Sequence, residues 1–284
     1  MTASVEAAPT PLTESPRLNR GLARRYTNLT RELAISQFKL RYTGSALGYL
    51  WSLFKPAMLF ALMYFVFVDL FHVGDHTEFF AIQLLLGIVI WTFFAECTAA
   101  AMQSVAGTGH LIRKAYFPRA IMVIAASFTS LLTLAINLVL VLVIAAALHQ
   151  ISLGPRIVAA FPLLIELYLL VLGVALFLSA LFVSYRDVGH LWEVSSQALF
   201  FGSAVQYPFT FLLNHHWLTG VAECNPVAQI IEDMRHAIVT KSVGWHHDIV
   251  GMPFGLVPFL IVGFIFVGGA LTFRRLSPGF AEKL

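Results

Sequence analysis

Six long apolar stretches constrain this chain more than any other feature of its sequence. They lie at about 50–72, 79–106, 118–148, 157–183, 190–213 and 249–272. Each exceeds the roughly 20 residues that carry a helix across about 30 Å of hydrocarbon. Unpaired backbone amides are so costly in lipid that such stretches must be helical. Composition agrees, because 58% of the 284 residues are hydrophobic and only 12% are charged, about half the charged share of a soluble domain. A soluble enzyme, a nucleic-acid-binding domain and a disulfide-stapled secreted module are thereby excluded. The pI near 9.0 reflects a net charge of only +3, and the membrane accounts for its placement. Cys97 and Cys224 make no metal-ligand pattern and no disulfide framework. Cys97, inside an apolar run, reads as a small core residue.

An even number of spans leaves both termini on one side, and Lys and Arg choose that side. Arg17, Arg20, Arg24, Arg25, Arg31, Lys39, Arg41 and Lys55 precede the first span or stand at its mouth. Arg113, Lys114 and Arg119 follow the second span, Arg186 follows the fourth, and Arg274, Arg275 and Lys283 lie in the tail. The opposite side keeps only Arg156, Arg235 and Lys241. The positive-inside rule therefore predicts cytoplasmic termini.

The first apolar run begins near Leu50, behind a polar leader too long for the apolar core of a cleavable signal peptide, so none is expected. Residues 1–19, with Pro9, Pro11 and Pro16, read as a disordered leader. The membrane domain then occupies 20–284. Leu22, Tyr26, Leu29 and Leu33 recur at helical spacing, with Arg24, Arg25 and Arg31 between them. This pattern predicts an amphipathic helix in the membrane interface, either meeting lipid headgroups or simply orienting the first span.

Several chemistries lack their motifs. No G-x-x-x-x-G-K-[ST] is present to cradle nucleotide phosphates, and neither G-x-S-x-G nor H-E-x-x-H occurs. Two adjacent histidine pairs, His215-His216 and His246-His247, flank the loop after the fifth span. Neighbouring side chains point in different directions, which suits interfacial polar residues better than a metal site. No metal is expected. Glu96, Asn137, Glu166 and Glu193 are among the few polar residues inside the spans. They serve either a hydrophilic pathway, such as a proton relay, or hydrogen bonds between helices. The 25 Phe residues leave a similar pair of readings. Phe54, Tyr64, Phe201, Tyr207 and Phe209 face lipid and the interfacial belts, or they line a passage where flat rings stack weakly on a sliding polymer.

Four ordered features carry more information. Leu47-Gly48-Tyr49-Leu50-Trp51-Ser52-Leu53, with Pro56 behind it, stands at the mouth of span one. Leu111-Ile112-Arg113-Lys114-Ala115-Tyr116-Phe117-Pro118-Arg119 joins spans two and three, and Tyr185-Arg186-Asp187 follows span four. Asn225-Pro226 opens an amphipathic stretch in which Val227, Ile230, Ile231, Met234 and Ile238 repeat at helical spacing. Together these resemble the permease subunit of ABC exporters for O-antigen, teichoic acid, galactan and related lipid-linked cell-surface polysaccharides. The resemblance covers nearly the whole chain after residue 20. Late in span five, where many members carry a Thr-Pro-Ile-x-Tyr-like segment, this chain has Ser203-Ala204-Val205-Gln206-Tyr207-Pro208.

The fold expected is therefore an all-α integral membrane protein of the bacterial inner membrane. It would have six transmembrane helices, an N-terminal interface helix and a re-entrant external segment between helices five and six. The resemblance implies a homodimer bound to two ATPase subunits, which hold the ATP and Mg; this chain itself would carry no cofactor and no catalytic residue. His110, Leu111, Arg113, Lys114, Tyr116 and Phe117 would form the coupling helix on that ATPase, with Arg186 and Asp187 nearby. Arg24, Arg25, Arg31, Lys39, Arg41, Trp51 and Lys55 would surround the cytoplasmic gate, where a polyprenyl-diphosphate headgroup meets basic side chains. Asn225, Pro226, Ile230 and Met234 would belong to an external gate. An ABC exporter of drugs or small lipids, and a proton-coupled carrier working through Glu96 and Glu166, are the alternatives.

Overall fold

The computed structural model describes residues 16–42, 48–72, 77–107, 118–151, 154–209, 223–240, 242–251 and 254–280. Among them every regular element is helical. Helix α1 runs Pro16–Tyr42, starting inside the expected leader and continuing well past the amphipathic repeat. A proline is well placed at a first helical position, where its missing N–H has no partner to lose. The next helices are α2 (Trp51–Tyr64), extended by a π-helical turn over Phe65–Leu70, α3 (Phe80–Gly107) and α4 (Ala120–Ala147). A short 3-10 turn, Pro155–Ala159, leads into α5 (Ala160–Ser184). Then come α6 (Val188–Gly202), α7 (Pro226–Ile238), α8 (His246–Val250) and α9 (Val257–Leu276).

Five of these, α2 to α5 and α9 with their flanking turns, are long and apolar enough to cross a membrane. The fifth expected span, 190–213, differs. Its helix α6 has 15 residues and stops at Gly202, giving about 22 Å at helical rise, short of about 30 Å of hydrocarbon. Beyond Gly202 the chain turns through Ser203–Tyr207, with Ala204 at φ 50°, a left-handed conformation that ends a helix. The last span also starts later than 249, because α8 is a separate short helix closed by Gly251 at φ 84°.

Helix α3 is the axis of the bundle. Its buried residues, from Phe80 to Trp91 and on to Cys97, share one apolar core with α5 and α7. Along α5 and α9 the backbones touch. A Cβ on Gly269 would lie 2.1 Å from the Gly173 carbonyl oxygen, and one on Gly173 would lie 2.6 Å from Phe266 Cα. Small residues allow this approach, the main source of attraction between helices where lipid is as apolar as the side chains. Helix α1 lies against α4, where Thr129 Oγ1 donates to the Ala34 carbonyl at 3.2 Å.

Pro56 sits inside α2 and has no N–H for the Ser52 carbonyl four residues earlier. Asn137 of α4 supplies the missing donor, its Nδ2 reaching Ser52 O at 3.2 Å and Thr133 O at 2.9 Å. Of the two readings open for Asn137, the hydrogen bond between helices is the one its geometry makes.

Two ends of the bundle are chemically distinct. Arg119, Arg186, Arg274 and Arg275 stand at one, here called the basic end, where Arg119 lies 5.9 Å over the Phe280 ring. Helices α7 and α8 pack at the opposite end, where Thr240 Oγ1 donates to Glu78 at 2.7 Å.

Candidate transport pathway

A cleft of about 660 Å³ opens between α3, the end of α5 and the start of α6. Glu96, Gln103, Arg186, His190, Glu193 and Ser196 give it polar walls. Arg186 stacks 5.1 Å over the Phe182 ring. Asp187 stands at the N-cap of α6 without a capping hydrogen bond from its side chain. Trp192 fastens α6 to α3 through its indole N–H, which donates to Thr98 Oγ1 at 3.2 Å. The rings of Trp91 and Phe200 meet at 5.4 Å along the same seam.

Lys55 and Glu96 bring α2 to the edge of this cleft, with Nζ 3.9 Å from Oε1. Lys55 remains 62% exposed, so this pair contributes about 0–1 kcal/mol and leaves the ammonium accessible. Trp51 and Phe54 meet edge to face at 5.5 Å on the outward side of α2. Tyr64 packs on Phe60, and Phe201 is exposed near the end of α6. Phe209 has a different setting. It is fully buried against Ala204 and Ala228, its ring 5.1 Å from that of His246, so it packs the opposite end of the bundle.

Arg31 and Lys39 are exposed on α1. The backbone of Arg24, Arg25 and Arg41 belongs to the same helix, and their side chains lie outside the described residues. His110, Leu111, Arg113, Lys114, Tyr116 and Phe117 also lie outside them.

At the opposite end, α7 is buried on every face from Val227 to Ile238. Asn225 explains its start. Its Oδ1 accepts from Val227 N at 2.9 Å and Ala228 N at 3.3 Å, capping the helix ahead of Pro226. Its Nδ2 donates to Gly202 O at 3.0 Å and Ser203 Oγ at 3.1 Å, tying α7 to the broken end of α6. Ile230 and Met234 are buried in the core. The polar face of α7 is buried as well, and apolar periodicity gave no hint of it. Arg235 is 1% exposed. Its guanidinium donates to Val205 O at 2.9 Å, Gln83 O at 3.3 Å, Tyr207 O at 3.4 Å and Glu232 Oε2 at 3.2 Å. One cation thus pairs with a carboxylate and also satisfies the carbonyls left open where α6 breaks. Tyr207 adds a hydrogen bond from its hydroxyl to the Phe201 carbonyl. The signal for this cluster lay in Glu232, Asp233 and Arg235 standing among apolar residues on a short helix.

Two titrations at this end have clear causes. Hydrogen bonds from Thr240 and Ser242 hold the Glu78 carboxyl below the usual carboxylate range. Burial pushes the His246 imidazole below its usual value against the opposing pull of Asp233. Among the described residues no group of three His, Cys, Asp or Glu gathers to hold a metal ion.

The profile of the ABC-2 type transporter family matches residues 28–239. Among curated proteins the chain is 25% identical over 209 residues to the O-antigen export system permease protein RfbA of Myxococcus xanthus, covering 72% of this chain and 78% of that protein. A Klebsiella pneumoniae protein of the same name is 24% identical over 251 residues, covering 87% and 91%. A second one from that organism is 23% identical over 252 residues with the same coverage.

Proposed function

The chain belongs to the ABC-2 type transporter family, and from that premise we propose that it is the permease subunit of an exporter of lipid-linked cell-surface polysaccharide. The observation that carries this reading is the match to O-antigen export permeases along 87% of the chain and 91% of theirs. The protein is a multi-pass membrane protein, with five membrane-length helices among the described residues. In the proposed arrangement its basic end faces the cytoplasm of a bacterial inner membrane, in keeping with the positive-inside rule. Two copies face each other across a two-fold axis. A separate ATPase subunit docks on the segment between α3 and α4 and on the Arg186–Asp187 corner, and it binds and hydrolyses ATP with Mg. No step of that chemistry falls to this chain.

The shape of the monomer supports such a pairing. Helices α2 and α6 carry large apolar side chains outward, among them Met58, Leu62 and Phe65 on α2 and Leu191, Val194 and Phe201 on α6. The polar cleft opens beside them. A second copy joined there would convert two open clefts into one passage with polar walls. Closure of the ATPase would move the spans as rigid bodies. The diphosphate of a polyprenyl-linked glycan would meet Lys55 and the basic residues of α1 at the cytoplasmic mouth. The buried α7 and the α6 turn would close the external side until the spans move.

Depletion of the protein in its host, followed by extraction and sizing of polyprenyl-linked glycans, tests the proposal. Long lipid-linked polymer should accumulate in the inner membrane while the same polymer disappears from the surface. Unchanged glycan pools would remove polysaccharide export as the function.

A further inference from the structure

One histidine holds the corner where α7 ends. His236 stands in the last turn of α7 and is 8% exposed. Its Nδ1 meets the Val243 carbonyl, on the stretch that leads into α8. Its Nε2 lies 3.5 Å from a guanidinium nitrogen of Arg156, and that same nitrogen donates to the His236 carbonyl at 3.2 Å. Arg156 belongs to the turn that opens α5, so these contacts join α7 to that turn. The Trp245 ring packs on the imidazole at 4.2 Å, and the His247 ring stacks on the same indole at 6.2 Å.

These partners leave the imidazole a single protonation state. A carbonyl cannot donate, so Nδ1 carries the hydrogen; a guanidinium cannot accept, so Nε2 offers its lone pair. A proton added at Nε2 would remove that acceptor and set two cations against each other. Among the described residues no carboxylate bonds to either ring nitrogen. Glu232, one turn earlier on α7, is engaged by Arg235. Asp233 accepts from His246 N at 2.7 Å and from Gln229 Nε2 at 2.6 Å, and it lines a groove with Glu166 of α5, Trp245 and His247. His246 turns its ring onto Phe209, His247 pairs with Asp248 at 3.4 Å, and Glu78 is held by Thr240. Lys241 lies outside the described residues. Helices α3 and α9 carry their charged side chains away from this corner, Glu96 in the polar cleft and Arg274 and Arg275 at the last turn of α9.

Histidine is the side chain whose charge ordinarily changes between about pH 5 and 8. We propose that His236 and Arg156 form an acid-released tie, in which protonation of Nε2 expels the guanidinium and frees the Pro155–Ala159 turn from α7. The tie is complete at neutral pH and is lost as pH falls. With the basic end in the cytoplasm this corner is external, so acid outside would loosen the closure that α7 provides. That consequence rests on the proposed orientation; the coupling of His236 to Arg156 does not.

Hydrogen exchange of the full-length protein in lipid nanodiscs tests the coupling, with rates corrected for the intrinsic pH dependence of amide exchange. Peptides covering 155–160 should lose about tenfold in protection from about pH 7.5 to about pH 5.5, the equivalent of one hydrogen bond. This local readout is separate from the titration of His246. Arg156→Met should show the low protection at both pH values. His236→Gln keeps an acceptor for Arg156 and a donor for Val243 without a titrating group, so it should keep the high protection at both. His247→Gln should respond as the wild type does. Equal protection of the wild type at the two pH values would overturn the proposal, as would a response that survives in His236→Gln or vanishes in His247→Gln. If His236→Gln fails to fold, Arg156→Met decides the matter, because a response that persists without the guanidinium cannot come from this tie. Nanodiscs expose both faces to the buffer, so failure there counts against the coupling and leaves the orientation and the exporter reading standing.

Discussion

Asn137 donates to the Ser52 carbonyl at 3.2 Å, in the position left without an amide by Pro56. The bond crosses from α4 to α2, the least buried of the membrane-length helices, and it gives that helix a fixed attachment. Asn137→Leu should therefore lower the thermal stability of the solubilised protein by about 1 kcal/mol, the scale of a hydrogen bond between membrane helices. In the Pro56→Ala background the same change should cost less, since the alanine amide then meets Ser52 O. A double-mutant cycle of melting temperatures measures the difference, and equal costs in both backgrounds would refute the link.

Arg235 is the most consequential single residue at the far end. Arg235→Met would leave Glu232 buried and unpaired and would strip donors from Val205, Gln83 and Tyr207. Breaking a buried pair from one side costs about 3–5 kcal/mol, and scanning calorimetry in detergent should register it as a marked fall in melting temperature. Arg235→Lys should rescue little, because an ammonium lacks the planar fork that serves several carbonyls at once.

Asn225 joins two helix ends with one amide. Asn225→Asp keeps the cap on α7 and loses the donors to Gly202 and Ser203, whereas Asn225→Ala loses both. The alanine variant should cost about 1–2 kcal/mol and the aspartate variant less. Hydrogen exchange separates the two effects, with protection lost at Val227 and Ala228 only in the alanine variant.

Gly269 and Gly268 are neighbours with opposite expectations. Gly269→Ala places its Cβ against the Gly173 carbonyl and should cost about 1–3 kcal/mol through overpacking. Gly268→Ala meets nothing within 4 Å and should be tolerated. Melting temperatures of the two variants provide the comparison.

His246 makes stability depend on pH in a defined window. Its folded pKa lies below the usual 6.5, so the unfolded chain binds the proton more readily. Its stabilising contribution is complete above pH 6.5 and is lost as pH falls through the folded value. His246→Leu should flatten the melting-temperature profile in this range while leaving the profile below it to carboxylates such as Glu78.

Lys55 tests the proposed route of the cargo. Lys55→Glu sets two carboxylates together at the edge of the cleft and removes a cation from the cytoplasmic mouth. It should lower glycan export more than it lowers ATP hydrolysis by the assembled transporter. Equal loss of both activities would remove Lys55 from the headgroup path.

The membrane class, the helical fold and most span positions followed from the sequence because they rest on local properties. Length, hydropathy and the bias of Lys and Arg are readable one segment at a time, and lipid leaves the backbone no alternative to helices. Ordered motifs such as Leu47–Leu53 and Asn225-Pro226 also pointed to the family, since a family's pattern is linear in the chain. Tertiary structure decided what depended on distant partners. Span 190–213 is long enough to cross a membrane by its sequence, yet its helix ends at Gly202, where Arg235 and Asn225, more than 20 residues away, satisfy the carbonyls freed by the break. Periodicity marks a polar face on α7 without saying what covers it; in the fold, Gln83, Val205 and Tyr207 meet that face with main-chain acceptors. Glu166 and Asp233 come from different helices and share a groove only after α7 is seated. Hydropathy records whether a residue can enter a membrane; only the packed neighbours determine how its polar groups are paired there.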